Sequence, residues 1–259
     1  MTETQHPTAT AATTATTAQD AWPTQIRLPG QTAAHPGPVD MRMMYVMHHA
    51  FRRDLAVLAA AAAVTPAPDR RAWVALADRW ALFAEALHHH HGGEDRGLWP
   101  RLLEVATVEE TEVLEAMEAE HEGIDPMLAA CGAGFDRLRE HADEDARATL
   151  AVRLAAARAE LGEHLKHEET EAIAIIQRHL TDAEWRAIEE EHFKAKLPLR
   201  TLLSLVPWVV EGVPAALRDD FFAEPGGRAH QAMWVLTRGR FRRHQRRALA
   251  HLTGPVEVR

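Results

Sequence analysis

The stretches His88-His89-His90-His91-Gly92-Gly93-Glu94-Asp95 and Glu163-His164-Leu165-Lys166-His167-Glu168-Glu169 decide how this chain is read. In each, a histidine is followed four residues later by a glutamate: His90 by Glu94, and His164 by Glu168. On an α-helix residues four apart share one face, about one turn apart. Such a pair can hold one metal ion or two neighbouring ions. A lone pair of this kind is common on charged helices and carries little information. Here the pattern recurs, with His121 followed by Asp125 and with His48 or His49 further upstream.

Working outward, each of these stretches falls in its own long helical segment. Ala, Leu, Glu and Arg dominate, and these are good helix formers. The segments are predicted at about 40–63, 69–103, 107–141 and 145–179. Asp40 and Asp69 are candidate caps for the first two. Pro66 and Pro68 separate these two segments, Gly92, Gly93, Gly97 and Pro100 weaken the end of the second, and Pro126 is a candidate kink in the third. Long helices with short connections favour an all-α, up-down-up-down four-helix bundle. Thr181-Asp182-Ala183-Glu184 reads as a capping box that opens a shorter helix. The expected organisation is a low-complexity, disordered tail over 1–38, a metal-binding bundle over 39–180 and a helical C-terminal extension over 181–259.

Four bundle helices that each offer a histidine, three of them with a carboxylate one turn later, make six or seven nitrogen and oxygen ligands if the faces converge. That is too many for one tetrahedral zinc ion. It suits two carboxylate-bridged ions, with iron or manganese favoured and zinc or copper admitted by affinity. The remaining histidines and acids have plainer readings. His88, His89 and His91 crowd His90 and are expected in solvent or behind the ligands. Glu169 and Glu171 are expected on the solvated side. His167 either backs a carboxylate or lies on the surface. Arg52 and Arg53 either pair with carboxylates behind the site or lie on the surface. Trp99 closes a helix end by packing, and Cys131 is a small core residue.

At these positions the chain resembles the hemerythrin-like HHE cation-binding family. The resemblance is carried by His48-His49-Ala50-Phe51-Arg52-Arg53-Asp54-Leu55, by His89 to Asp95 with Leu98-Trp99-Pro100, by Glu120 to Asp125, and by His164 to Glu169. It covers roughly 40–180 and implies a non-haem di-iron site. Transferred position by position, the implied ligands are His48, His90, Glu94, His121, His164 and Glu168, with Glu94 and Glu168 as bridges and His49 as the alternative to His48. Oxygen carriers of the family have a second histidine on the third helix where this chain has Asp125. Either Asp125 takes that place as a ligand, or one iron is left more open. The resemblance implies a small ligand such as oxygen, nitric oxide or hydrogen peroxide, in a redox or stress response. The competing readings are an iron or oxygen sensor or iron-handling protein whose metal occupancy controls partner binding, and a metal-free helical interaction module.

Composition narrows the classes further. With a formal charge of −9, a nucleic-acid partner is not expected. The C-terminal arginines Arg238, Arg240, Arg242, Arg243, Arg246 and Arg247 read most simply as a helix that offsets the acidity of the bundle. The single cysteine allows no internal disulfide, and residues 1–20 lack the features of a signal peptide, so a cytoplasmic protein is expected. The apolar stretch 197–217 is broken by three prolines and makes a poor membrane span. No phosphate-binding glycine loop or nucleophile elbow is present. The sequence fixes neither an oligomeric state nor whether the chain is an enzyme.

Overall fold

A computed structural model describes residues 22–194, 198–223, 226–254 and 256. Among them there is no strand, and the helices form an all-α bundle with a helical extension. Helix α1 spans Arg42–Val64 and α2 Arg70–Gly93. A π turn at Glu94–Leu98 leads from α2 into the short α3, Trp99–Leu103. Helix α4 spans Val108–Glu140, α5 spans Glu144–His167, and a second π turn, Glu168–Ala172, leads into α6, Ile173–His179. The four predicted bundle segments are therefore present, two of them interrupted by a π turn.

Local chemistry sets the starts of these helices. Asp69 accepts a hydrogen bond from Ala72 N, and Asp143 accepts one from Ala146 N. Thr107 and Glu110 form a reciprocal capping box before α4. Asp40 accepts from Arg42 N at 3.0 Å, although Met41 occupies the cap position. Around the bundle, α1 packs on α5, α5 on α4, α4 on α2 and α2 on α1.

The apolar interior comes in two clusters. The larger contains Phe51, Leu55, Trp73, Leu76, Phe83, Cys131, Phe135 and Leu154. The smaller contains Met41, Tyr45, Trp99, Leu102, Leu114, Met117, Ile173 and Ile176. Along α2 and α5 the chain passes from the larger cluster to the smaller across buried histidine and glutamate, and along α4 from the smaller to the larger across buried His121. In α2 the last residue of the larger cluster is Leu87 and the first of the smaller is Leu98, with His90, His91 and Glu94 between them. The polar layer is therefore sandwiched between dry cores. Burying charge this way is costly unless it is paired or bound to metal.

Order begins earlier than the sequence suggests. The low-complexity run Thr8–Thr17 lies outside the described residues, but 22–41 form an extended strap along the bundle instead of a disordered tail. Val39 N donates to Gln177 Oε1 and Gln177 Nε2 donates to Val39 O. A Cβ on Gly37 would fall 2.1 Å from Gln177 Oε1, so only glycine permits this approach. Thr32 N donates to Glu169 Oε2 at 2.7 Å. Backbone donors satisfied by buried acceptors outweigh the polar composition that pointed to disorder.

The extension is built from α7 (Asp182–Ile188), a third π turn (Glu189–Phe193), α8 (Leu199–Val209), α9 (Ala215–Ala223) and α10 (Gly227–Ala248). Thr181 and Glu184 form the predicted capping box. The apolar stretch packs inward: α8 lies on α1 and α2, and α10 lies on α8 and α2. Trp208 is fully buried, 5.9 Å from Phe51 between ring centroids. Arg79 bonds both Asp54 and Glu211, and Arg53 donates to Asp54 and to Glu211 O, fastening the α8–α9 connection to α1 and α2. No helix among the described residues is long and apolar enough to cross a membrane.

Candidate metal centre

Two groups of side chains meet in the polar layer. His48, His90, Glu94 and Glu168 form one; His91, His121 and His164 form the other; within each, the ligand atoms lie within 4.8 Å of one another. All are buried. Glu94 faces both groups, with Oε1 3.2 Å from His90 Nε2 and Oε2 3.6 Å from His121 Nε2. Glu168 Oε2 lies 3.1 Å from His48 Nε2. The rings of His91 and His121 stack at 3.9 Å, and His164 stands edge-on to both.

A π turn begins at each of the two ligand glutamates. The wider turn accommodates one extra residue and is characteristic of functional sites. The consecutive residues Glu168 and Glu169, which open the second π turn, are both buried, and so are His90 and His91 in the last turn of α2 before the first.

The surroundings aim these histidines. His48 Nδ1 bonds Glu169 Oε1 at 3.0 Å, His121 Nδ1 bonds Asp95 Oδ1 at 2.7 Å, and His164 Nδ1 bonds Glu120 Oε2 at 2.8 Å. A carboxylate on Nδ1 fixes the proton there and leaves the Nε2 lone pair for a metal. Glu120 is shared with His167, and Glu169 also receives both terminal nitrogens of Arg52.

The fit to a cation rests on atoms without partners. The Nε2 atoms of His48, His90, His91, His121 and His164, and both carboxylate oxygens of Glu94 and Glu168, are buried and make no hydrogen bond. Leaving so many polar atoms unpaired in one chamber is expensive, and metal ions aimed at by these lone pairs remove that cost. Protonation states agree with the same picture. Burial, reinforced by neighbouring histidines, pushes His90 and His91 far below the usual histidine range, which favours the neutral form that a metal ion would need. Burial and the nearby Glu168 raise Glu94 well above the carboxylate range. Burial works against the ionised form of Glu168 too, but His48 overrides it and holds Glu168 low. Conversely, Glu168 and Glu169 overcome burial to raise His48 to about 9. Protons occupy the chamber where cations fit, and metal binding releases them.

Of the sequence-predicted ligands, His48, His90, Glu94, His121, His164 and Glu168 come together. Asp125 does not: it is exposed on α4. Helix α4 turns His121, Ile124 and Leu128 inward, and it runs as regular α-helix past Asp125 with no π turn to rotate that residue toward the site. His91, expected outside the ligand set, takes its place as the third histidine of its group. Its signal in the sequence was the doubled His90-His91 before a glutamate–aspartate pair. Glu169, expected in solvent, is fully buried behind His48. His49 points away, with Nδ1 on Pro29 O.

Helix bundle, sandwiched polar layer and two converging ligand groups define a metal-binding protein with its site in the bundle core. The family model of the hemerythrin HHE cation-binding domain matches residues 40–176, more than half of the chain. The chain belongs to that family. Comparisons with curated proteins and with solved structures return no significant match.

Proposed function

We propose that the chain is a non-haem di-iron protein that binds a small diatomic or peroxide ligand in redox or stress response. The observation that carries this reading is the division of the ligands into two groups, with Glu94 facing both. Five imidazoles and two carboxylates suit a pair of iron ions better than zinc, which favours four ligands. Such a pair supplies reversible one-electron chemistry and an open coordination position.

The two groups are unequal: His91, His121 and His164 would offer three imidazoles to one ion, whereas His48 and His90 would offer two to the other. If Glu94 and Glu168 were shared between the ions, the one held by His48 and His90 would have room for a further ligand. Phe51 at 5.2 Å and Phe193 at 6.0 Å from the His90 ring keep that side apolar, which suits a small uncharged ligand. The third-helix histidine of the family's oxygen carriers is missing here, and His91 on α2 would supply the third imidazole of that group instead. Anaerobic iron loading followed by oxygen, nitric oxide or peroxide tests the proposal. A new visible absorption with about two irons per chain is expected; a fully loaded sample that stays spectrally silent with all three would reject it.

A second reading, a sensor whose metal occupancy is read by the extension, is favoured by Phe193 against His90 and by His89 Nε2 bonding Phe193 O at 2.7 Å. Faster proteolysis near residue 194 on iron removal is its expected signature. Equal cleavage with and without iron would count against it.

A further inference from the structure

Helix α10 carries no acidic residue; Arg238 stacks over Trp234 of the same helix, and the arginines after it form no ion pair among the described residues. Arg240, Arg243 and Arg247 are exposed and have no ion-pair partner among the described residues; the same holds for Arg242 and Arg246. The stripe formed by Arg240, Arg243 and Arg247 begins one turn earlier with Leu236, which is 79% exposed.

Helix α4 presents the opposite. Its exposed face begins with Val108, 76% exposed, and continues through Glu112, Glu115, Glu118 and Glu122. None of these four glutamates has an ion-pair partner among the described residues. The first basic residue of α4 is Arg137, far along the helix.

The two stripes share one register. On α10 an apolar residue is followed by arginines four, seven and eleven positions on; on α4 an apolar residue is followed by glutamates four and seven positions on, with Glu118 and Glu122 flanking the eleventh. Laid parallel, Leu236 meets Val108, Arg240 meets Glu112, Arg243 meets Glu115, and Arg247 falls between Glu118 and Glu122. Spacings of three and four place all of these on one helix face. Within one molecule α10 packs on α2, α8 and α9, and no ion pair joins the two stripes among the described residues.

We propose that α10 docks on α4 of a second copy of this chain, through a salt-sensitive contact of arginines on glutamates with Leu236 and Val108 at one end. Charge complementarity in a common register favours a second copy over a nucleic acid or an anionic membrane, both of which the net charge of −9 disfavours. The contact joins two different faces, so used reciprocally it closes as a two-fold dimer, and used head to tail it closes as a ring or extends. It leaves the metal ligands untouched.

The test is sedimentation of the iron-loaded full chain at about 50 mM and about 500 mM salt, between which the screening length shortens severalfold. Self-association at the lower salt that weakens about tenfold or more at the higher is expected. R240E/R243E/R247E and E112K/E115K/E122K are each expected to be monomeric, and their equimolar mixture to associate as the wild type does. If one variant loses iron or helical content, the other carries the test against wild type. A monomeric wild type at low salt, association that survives either reversal, or binding of α10 to anionic vesicles or DNA by a monomer would overturn the proposal.

Discussion

The two π turns of the bundle do the same job with different security. Each begins at a ligand glutamate and follows it with a carboxylate that braces a histidine from another helix. Asp95 follows Glu94 and holds His121; Glu169 follows Glu168 and holds His48. Asp95 has a side chain 30% exposed and no further hydrogen bond among the described residues, whereas that of Glu169 is fully buried and held by Arg52, His48 and Thr32 N. One end of the site is therefore clamped and the other is braced at the edge of solvent. The clamped end is the one with fewer histidines, where the small ligand is proposed to bind.

Removing the residue common to both halves breaks the comparison most severely. Glu94→Ala takes away the carboxylate that faces His90 and His121. Elemental analysis is expected to fall from about two irons per chain to near none. Glu168→Ala removes the partner of His48 and is expected to deplete mainly the ion of the two-histidine group. If Glu94→Ala kept both ions, the shared position assigned to it would be wrong.

The braces come next. Glu169→Ala strands Arg52 in the interior, and breaking a buried pair costs about 3–5 kcal/mol. Asp95→Ala exposes a histidine nitrogen near solvent and should cost about 1 kcal/mol or less. Denaturant unfolding of the metal-free proteins measures both. In iron affinity, losses of about tenfold for Asp95→Ala and about a hundredfold for Glu169→Ala are expected. Equal losses at the two positions would remove the distinction between a clamped and an open end.

The helices that follow the π turns extend the comparison to acid. Glu110 ties α6 to α4 through Arg178 and His179. Burial opposes its ionisation, but the Thr107 N–H, Arg178 and His179 prevail and hold it at about 2. A carboxylate depressed in the folded state stabilises fully above its unfolded value near 4.5, and loses that contribution as pH falls toward 2. Glu110→Gln should flatten the fall in melting temperature over this window. A variant with the wild-type slope would place the acid sensitivity elsewhere, Glu184 beside α3 being the next candidate, since its Thr181 N–H bond and Arg101 hold it at about 2 as well.

How far the sequence could be read follows from the same geometry. The bundle was legible because Asp69, the loop prolines and the Ala/Leu-rich segments act locally. Ligands four residues apart were legible because they need only a regular helix. His91 and Glu169 were not, because each stands next to the residue that the four-residue spacing selects, and which neighbours are also buried depends on how α2 and α5 pack in the bundle, not on local sequence. The strap over 22–41 was hidden for another reason: its order comes from Gln177 and Glu169, over a hundred residues away in the chain.

The smallest expected effect separates regular helix from π turn most cleanly. Sequence left Asp125 open as a ligand and expected His91 in solvent or behind the ligands. Asp125 is exposed on the unbroken α4, and His91 lies one turn before the π turn among His121 and His164. Asp125→Ala should leave iron content and affinity within about twofold of wild type, as exposed substitutions usually do. His91→Ala should empty the three-histidine position while leaving the helix content unchanged. Iron lost from the Asp125 variant, with His91→Ala still loaded, would mean that α4 rotates toward the metal on binding and that the ligand set follows the family pattern position by position.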